Sequence, residues 1–230
     1  MMKCCKVLSY LLDYPTNELW QASDELIDIV NSLDELTARQ KTQLVEFMTN
    51  YFAMSLLDAQ ANYYHTFEVG NLTSLLLFEH VHGDSRDRGQ AMIDLIENYA
   101  QQGIELSVNQ LPDYLPLFLE YLSLLTQVEC QKWLGNIALI IRLLGLRLEK
   151  RGSTYQVLFN ILYQLSQHNA DDNELIQRVT NEESDDSVDA LDKAWEETQV
   201  LFQGPISNDT KHINNSTYYI TVGEDKRSRI

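Results

Sequence analysis

Helix breakers are few in this chain: 9 Gly and 4 Pro stand among 230 residues. Strand-type alternation of apolar and polar residues is nearly absent, while Leu recurs at three- and four-residue spacing. An all-α fold is therefore expected. Cysteine is scarce as well. Cys4, Cys5 and Cys130 make an odd count, the adjacent pair cannot easily close a normal bridge, and no CxxC occurs. Neither a disulfide framework nor a zinc knuckle is supported, and reduced thiols are the default. Basic residues are half as numerous as acidic ones, 17 against 34, for a net charge of −17. So acidic a surface repels phosphate backbones and anionic lipid, which makes nucleic acid and bare membrane poor partners. The greasiest stretch, Leu134 to Leu146, is interrupted by Asn136 and Arg142 and is too short to span a bilayer. Lys3 and Lys6 lead into only six residues, Val7 to Leu12, before Asp13, unlike a secretory leader. A cytoplasmic protein without direct membrane insertion is expected.

The periodic segments that are present suggest a single compact helical bundle. Val7–Leu12 gives a first helix, ended by Asp13-Tyr14-Pro15. Helices are expected over Glu18–Leu33, Thr37–Phe52 and Leu56–Phe67, then over Leu75–His82, capped by Asn71 or Thr73 and stopped by Gly83. Another runs from Asp84 or Ser85 to about Gln102, with Met92, Ile93, Ile96 and Tyr99 turned inward. Pro112 suits the first position of a helix from Leu111, and Trp133–Lys150 reads as one long helix. Both are apolar nearly all round, as central helices are. Thr154–Gln167 follows, then a short amphipathic piece (Leu175, Ile176, Val179) and a last helix near Val188–Val200. Residues 1–170 are expected to form the core, 171–202 an acidic helical segment and 203–230 a flexible, disordered C-terminal tail. From Asp171 to Glu197 there are 11 acids against 2 bases, more than half the net charge of the chain.

The densest chemistry lies between Thr73 and Met92, TSLLLFEHVHGDSRDRGQAM, where a Leu-rich run turns into alternating Asp and Arg. It holds Glu79, His80, His82, Asp84, Arg86, Asp87 and Arg88. His80 and His82 are two residues apart, about 200° around a helix, whereas zinc-binding helices use i, i+4. No GxSxG, P-loop, GxGxxG or Cys/His nucleophile arrangement occurs. An enzyme is thus disfavoured. A metal-dependent hydrolase on Glu79, His80 and His82 is the weaker alternative. An apolar groove edged by acids suits an amphipathic peptide with apolar anchors and Lys or Arg at its rim. A general acidic helical adaptor for basic amphipathic peptides answers to the same description.

Three stretches carry a resemblance: Leu56–Met92, LPDYLPLFLEYL (Leu111–Leu122) and DALDKAWEETQV (Asp189–Val200). They resemble the NarJ/NarW group, the assembly chaperones of respiratory nitrate reductase within the TorD/DmsD class. The likeness covers essentially Val7 to Val200. It implies a TorD-like bundle that is not an enzyme and holds no cofactor of its own. Its partner would be the N-terminal peptide of the nitrate reductase catalytic subunit. That subunit would be kept competent for molybdenum cofactor and iron–sulfur cluster insertion before membrane docking. Molybdenum cofactor biosynthesis proteins are candidate further partners. On this reading Leu76, Phe78, Tyr114, Phe118 and Tyr121 wall a peptide groove, and Glu79, Asp84, Asp87, Asp113 and Glu120 meet the peptide's cations. Arg86 and Arg88 hold the loop through Asp84 and Asp87 or contact acidic groups of the client, and His80 and His82 belong to the same peptide-binding group. The wider class carries a Glu-Pro-Asp-His signature. Here those positions read Leu111, Pro112, Asp113 and Tyr114, so only Pro and Asp match. Leu201–Pro205, LFQGP, resembles a picornaviral 3C protease site, either appended or native. Tyr218, Ile220 and Gly223, spaced YxIxxG, look like the family's closing pattern, which argues for a native tail.

Overall fold

Two helices are apolar on almost every side, and the chain is arranged to enclose them. In the computed structural model, which describes residues 2–81, 85–107, 110–168, 172–187 and 190, these are α7 (Leu115–Leu124) and α9 (Ala138–Lys150). Leu115, Leu117, Phe118, Leu119, Tyr121 and Leu122 of α7 are all buried, as are Ile141, Leu143, Leu144, Leu146 and Leu148 of α9. Helix α1 (Lys3–Leu12) covers α7, and Ser9 donates its hydroxyl to the Pro116 carbonyl at 2.7 Å. Helices α10 (Gln156–Leu165) and α11 (Asn173–Asn181) cover α9. Between them come α2 (Asn17–Gln21), α3 (Ser23–Ser32), α4 (Ala38–Phe52), α5 (Leu56–Phe67), α6 (Ser85–Gln101) and α8 (Gln127–Asn136). Among the described residues the fold is helical, with no β-strand, as the periodicity predicts. Apart from residue 190, the expected helix at Val188–Val200 lies outside the described residues, as do LFQGP and the tail from residue 203.

Helix starts follow local chemistry. Thr37 with Gln40 and Thr126 with Glu129 form reciprocal capping boxes, and Ser55 caps α5 through the Asp58 amide. Elsewhere the structure corrects the sequence reading. Glu18–Leu33 is two helices meeting at Ala22. The short α2 is pinned by Trp20, whose Nε1 donates to the Met54 carbonyl at 3.2 Å and whose ring packs on Tyr51 and Phe52. Trp133–Lys150 is likewise broken at Ile137, just after Gly135-Asn136, a pair that ends helices more readily than it continues them. The helix expected from Leu111 begins at Leu115. Pro116, not Pro112, takes the early helical position where a missing amide costs nothing.

The largest departure is at Leu75–His82. Instead of an α-helix, Leu76 forms a single antiparallel bridge with Tyr114, followed by a 3-10 turn at Leu77–His80. The Leu115 amide donates to Leu75 O at 2.9 Å, the Leu77 amide to Asp113 O at 3.0 Å, and the Phe78 amide to the Asp113 carboxylate at 3.1 Å. Backbone groups that a helix would satisfy internally are thus paired across the chain. Leu75 and Leu77 point inward while Leu76 is half-buried, a period of two that the all-Leu run concealed.

In α6 the inward residues are Leu95 and Tyr99, because the Tyr99 hydroxyl donates to Pro112 O at 2.7 Å and fixes the helix rotation. Ile93 and Ile96, expected inside, are 50% and 44% exposed. Leu95→Ala should therefore lower the unfolding free energy by about 2–5 kcal/mol. Ile93→Ala should change it by less than about 0.5 kcal/mol. Urea denaturation followed by circular dichroism separates the two.

Candidate functional site

The 3-10 turn faces α6 across a hollow. Leu77, Phe78 and Val81 form one wall, Ala91, Asp94 and Leu95 of α6 the next, Phe118 of α7 the floor. Trp133 and Asn136 of α8, with Ile137 at the break and Ile140 in the first turn of α9, close the far side. The volume is about 310 Å³, and among the described residues the lining is apolar apart from Asp94 and Asn136. Val81 is 45% exposed at its mouth, and Asp94 is exposed there with its carboxylate accepting from Gln90 Nε2 at 2.8 Å. A mostly apolar concavity with a few polar groups is the usual form of a binding site. A larger hollow of about 620 Å³ lies between α4, α5 and the start of α10, lined by Gln43, Asn50, Asn62 and Gln156 together with Phe47, Tyr51, Met54 and Val157. It contains none of the residues singled out from the sequence.

The break at Ile137 and the 3-10 turn together make the cleft. A continuous helix would carry Trp133 and Ile140 along one straight axis. Here Asn136 and Ile137 sit at the bend and enter the lining. On the opposite side, Arg88 Nη2 donates to Phe78 O at 2.7 Å and holds the turn from α6.

The residues expected to share one peptide-binding surface are spread over several places. Phe78 and Phe118 line the cleft, with Phe118 buried as its floor. Tyr121 is buried against Tyr99 and Trp133 beneath it. Leu76, Glu79 and Tyr114 face a different hollow of about 370 Å³, shared with Tyr63, Phe67 and Glu68. There the Tyr114 hydroxyl donates to Asp13 at 2.9 Å and shares a 2.9 Å hydrogen bond with Tyr63. Glu120 is ion-paired with Lys6 of α1. Asp113 is 2% exposed, with one carboxylate oxygen on the Phe78 amide and the other unpartnered. Burial raises its pKa above the ordinary carboxylate value. It shapes the turn from within and is not at the rim. Asp87 is exposed on the first turn of α6. His82 and Asp84 lie outside the described residues, as does the side chain of Arg86.

His80 is the best-defined polar residue next to the turn. Its Nε2 donates to Ser74 O at 2.8 Å, so its Nδ1 is the acceptor that faces Arg147 Nη1 at 3.3 Å. This fixes a neutral imidazole. Desolvation, and then the Arg147 charge, push its pKa below the ordinary value. Among the described residues no group of three or more His, Cys, Asp or Glu could hold a metal ion.

Sequence reasoning missed Asp94, Val81, Leu95, Trp133, Asn136, Ile137 and Ile140 as lining residues. The capping box at Thr126 and the Gly135-Asn136 stop were the available signals for the bend. Nothing in the sequence signalled Asp94.

With this geometry in place, comparison with known proteins is decisive. Residues 30–160 match the family model described as nitrate reductase delta subunit. The chain belongs to that family, on its NarJ/NarW chaperone branch. It is 45% identical over 196 residues to the nitrate reductase molybdenum cofactor assembly chaperone NarJ of Escherichia coli strain K12, covering 85% of this chain and 83% of that protein. It is 42% identical over 201 residues to the probable chaperone NarW of the same strain, covering 87% and 84%. The probable NarJ of Bacillus subtilis is 34% identical over 161 residues, covering 67% of this chain and 83% of the relative. Among the described residues no helix is long and apolar enough to cross a membrane.

The lowered His80 pKa has a consequence for stability. An imidazole that must stay neutral when folded contributes stability above its unfolded pKa, and that contribution is lost as pH falls below about 6.5. The urea midpoint should drop between pH 7.5 and 5.5, and His80→Gln should flatten that drop. An equal slope in wild type and variant counts against the assignment.

Proposed function

We propose that this protein binds the N-terminal segment of a nitrate reductase catalytic subunit as an amphipathic helix. The cleft between the 3-10 turn, α6 and the α8–α9 bend would receive it. The observation that carries the reading is an open apolar hollow with Asp94 as its one charged lining residue among the described residues, in a member of a family whose relatives are named nitrate reductase assembly chaperones. The mode is helix-in-groove: apolar anchors enter the hollow while a Lys or Arg on the same face reaches Asp94. Each fully buried anchor contributes about 1.5–3 kcal/mol before the cost of ordering the peptide is subtracted. A volume of about 310 Å³ admits a few apolar side chains, so the rest of the peptide would lie on the surface outside. The acidic surface, net −17 over the chain, would favour approach of a basic segment and make association salt-dependent.

In this reading the protein acts in the cytoplasm as a holdase for one client. Covering the client's N-terminus keeps the large subunit open while its molybdenum cofactor and iron–sulfur cluster are inserted. Release then precedes docking to the membrane subunit. The cofactor is cargo of the client, and no residue of this chain is assigned to it. Proteins of molybdenum cofactor biosynthesis would be encountered through the client complex.

Calorimetric titration with the catalytic subunit's N-terminal peptide tests this. Tight one-to-one binding is expected, with unrelated cationic amphipathic peptides at least about tenfold weaker, a difference of about 1.4 kcal/mol. Comparable binding of all such peptides would instead favour a general acidic adaptor. Ile140→Asp, which places a charge in the hollow, should weaken the peptide at least about tenfold. Asp94→Asn should weaken it less and reduce its salt dependence.

A further inference from the structure

The cationic end of α9 grips two parts of the chain at once. On one side is the segment from Thr66 to His80, which ends in the cleft's front wall. On the other is an acidic strap, residues 182–187, that follows α11. Arg147, only 6% exposed, takes both oxygens of Glu182, Nε to Oε2 at 2.8 Å and Nη2 to Oε1 at 2.6 Å. Its Nη1 donates to Leu72 O at 2.8 Å and to His80 Nδ1 at 3.3 Å. Arg151 pairs with Asp185 and Asp186 of the strap and donates to Thr73 Oγ1 at 2.7 Å. Lys150 donates to the carbonyls of Val179 and Glu182, each at 2.7 Å, and to that of Thr180 at 3.1 Å. The strap also reaches the loop directly. Asp185 Oδ2 accepts from the Asn71 amide at 2.6 Å and the Leu72 amide at 2.7 Å. This carboxylate lies where a side chain at Gly70 would stand, and Gly70 has φ +80°.

On the reading that the cleft receives the client peptide, we propose that the acidic strap is a positioning element for it. Glu182 neutralises Arg147, Arg147 orients His80, and His80 fixes the 3-10 turn that carries Phe78 and Val81. The electrostatics require such a partner. A guanidinium this buried cannot stay at Leu72 and His80 without a counter-charge, and removing one member of a buried pair leaves the other uncompensated. His80 has no second cation-tolerant arrangement, because its Nε2 is already committed to Ser74 O. Loss of Glu182 therefore turns Arg147 toward solvent, takes away the donor that His80 Nδ1 accepts from, and loosens the turn. Strap and cleft are coupled through this relay and through the direct contacts of Asp185 with the loop, so docking of the strap and binding of the peptide reinforce each other. Coupling is reciprocal: a bound peptide tightens the strap by the same factor.

The test uses the full chain in three variants. Glu182→Gln breaks the relay, Asp185→Asn loosens the strap at the loop, and Asp172→Asn removes the 2.6 Å pair with Arg142 at the other end of α11 without touching Arg147. The readouts are peptide affinity by calorimetry and the nitrogen-15 shifts of the His80 imidazole, assigned with His80→Gln. Glu182→Gln should move the His80 signals and weaken the peptide about fivefold or more, within the usual range of coupling between sites. Asp185→Asn should act in the same direction, and Asp172→Asn should leave both readouts at wild-type values. A folded Glu182→Gln protein with unchanged peptide affinity overturns the proposal, and so does an Asp172→Asn variant that weakens binding equally. Should Glu182→Gln fail to fold, Asp185→Asn decides in its place: weakened binding supports the relay and unchanged binding overturns it. Failure of the wild type to bind any peptide refutes the proposed function instead, and the His80 shifts then decide alone whether the relay exists.

Discussion

Two predominantly apolar helices set the terms for everything else in this structure. Helices α7 and α9 offer apolar side chains around most of their circumference, so each must be enclosed rather than merely flanked. Helix α1 lies along α7, α10 and α11 lie along α9, and α4 packs outward on α10. The enclosure leaves Leu124 and Leu139 exposed and opens into an apolar hollow beside α8. Where α8 bends into α9, the 3-10 turn and α6 approach but do not seal the gap, and Phe118 of α7 lies at its floor. The candidate site is thus a lapse in the cover of the most apolar part of the bundle. Its lining is greasy because the core is.

Charge placement is equally concentrated. Apart from the Arg142–Asp172 pair, the more buried ionic contacts of the described region gather at the C-terminal end of α9, where Arg147, Lys150 and Arg151 also face the negative end of the helix dipole. The strap that answers them comes from the acidic stretch that gives the chain much of its negative charge. What looks from composition like a solvated acidic run is in part a docked counter-charge. Glu182 accordingly titrates below the ordinary carboxylate range, chiefly through its hydrogen bonds to Arg147.

Much of the fold was legible in the sequence, because helical periodicity and caps are local. The helix expected from Thr37 is capped by Thr37, and the apolar wheels of α7 and α9 identify the centre, whereas sequence reasoning missed the cap at Thr126. The site was less legible. Leu75–Phe78 satisfies any periodicity because four apolar residues in a row fit every template. Only tertiary partners, the Tyr114 backbone and the Asp113 carboxylate, choose extended chain over helix. Asp113 and Glu120 read as rim acids because spacing places them near aromatic neighbours, yet one is sealed inside and the other is paired with Lys6. Arg147 sits among leucines at a core position, a signal of a buried ion pair that periodicity alone does not interpret.

The solitary rung between Leu76 and Tyr114 carries a kinetic implication. Ribbons with several rungs open cooperatively, but one rung has no neighbours to share the load. The Leu77 and Leu115 amides are protected by that rung's hydrogen bonds rather than by a helix ladder. They should exchange with solvent deuterium through a local opening that is cheaper than global unfolding. The front of the hollow can therefore breathe while α7 and α9 remain shut, which gives a guest a way in that does not require the bundle to melt.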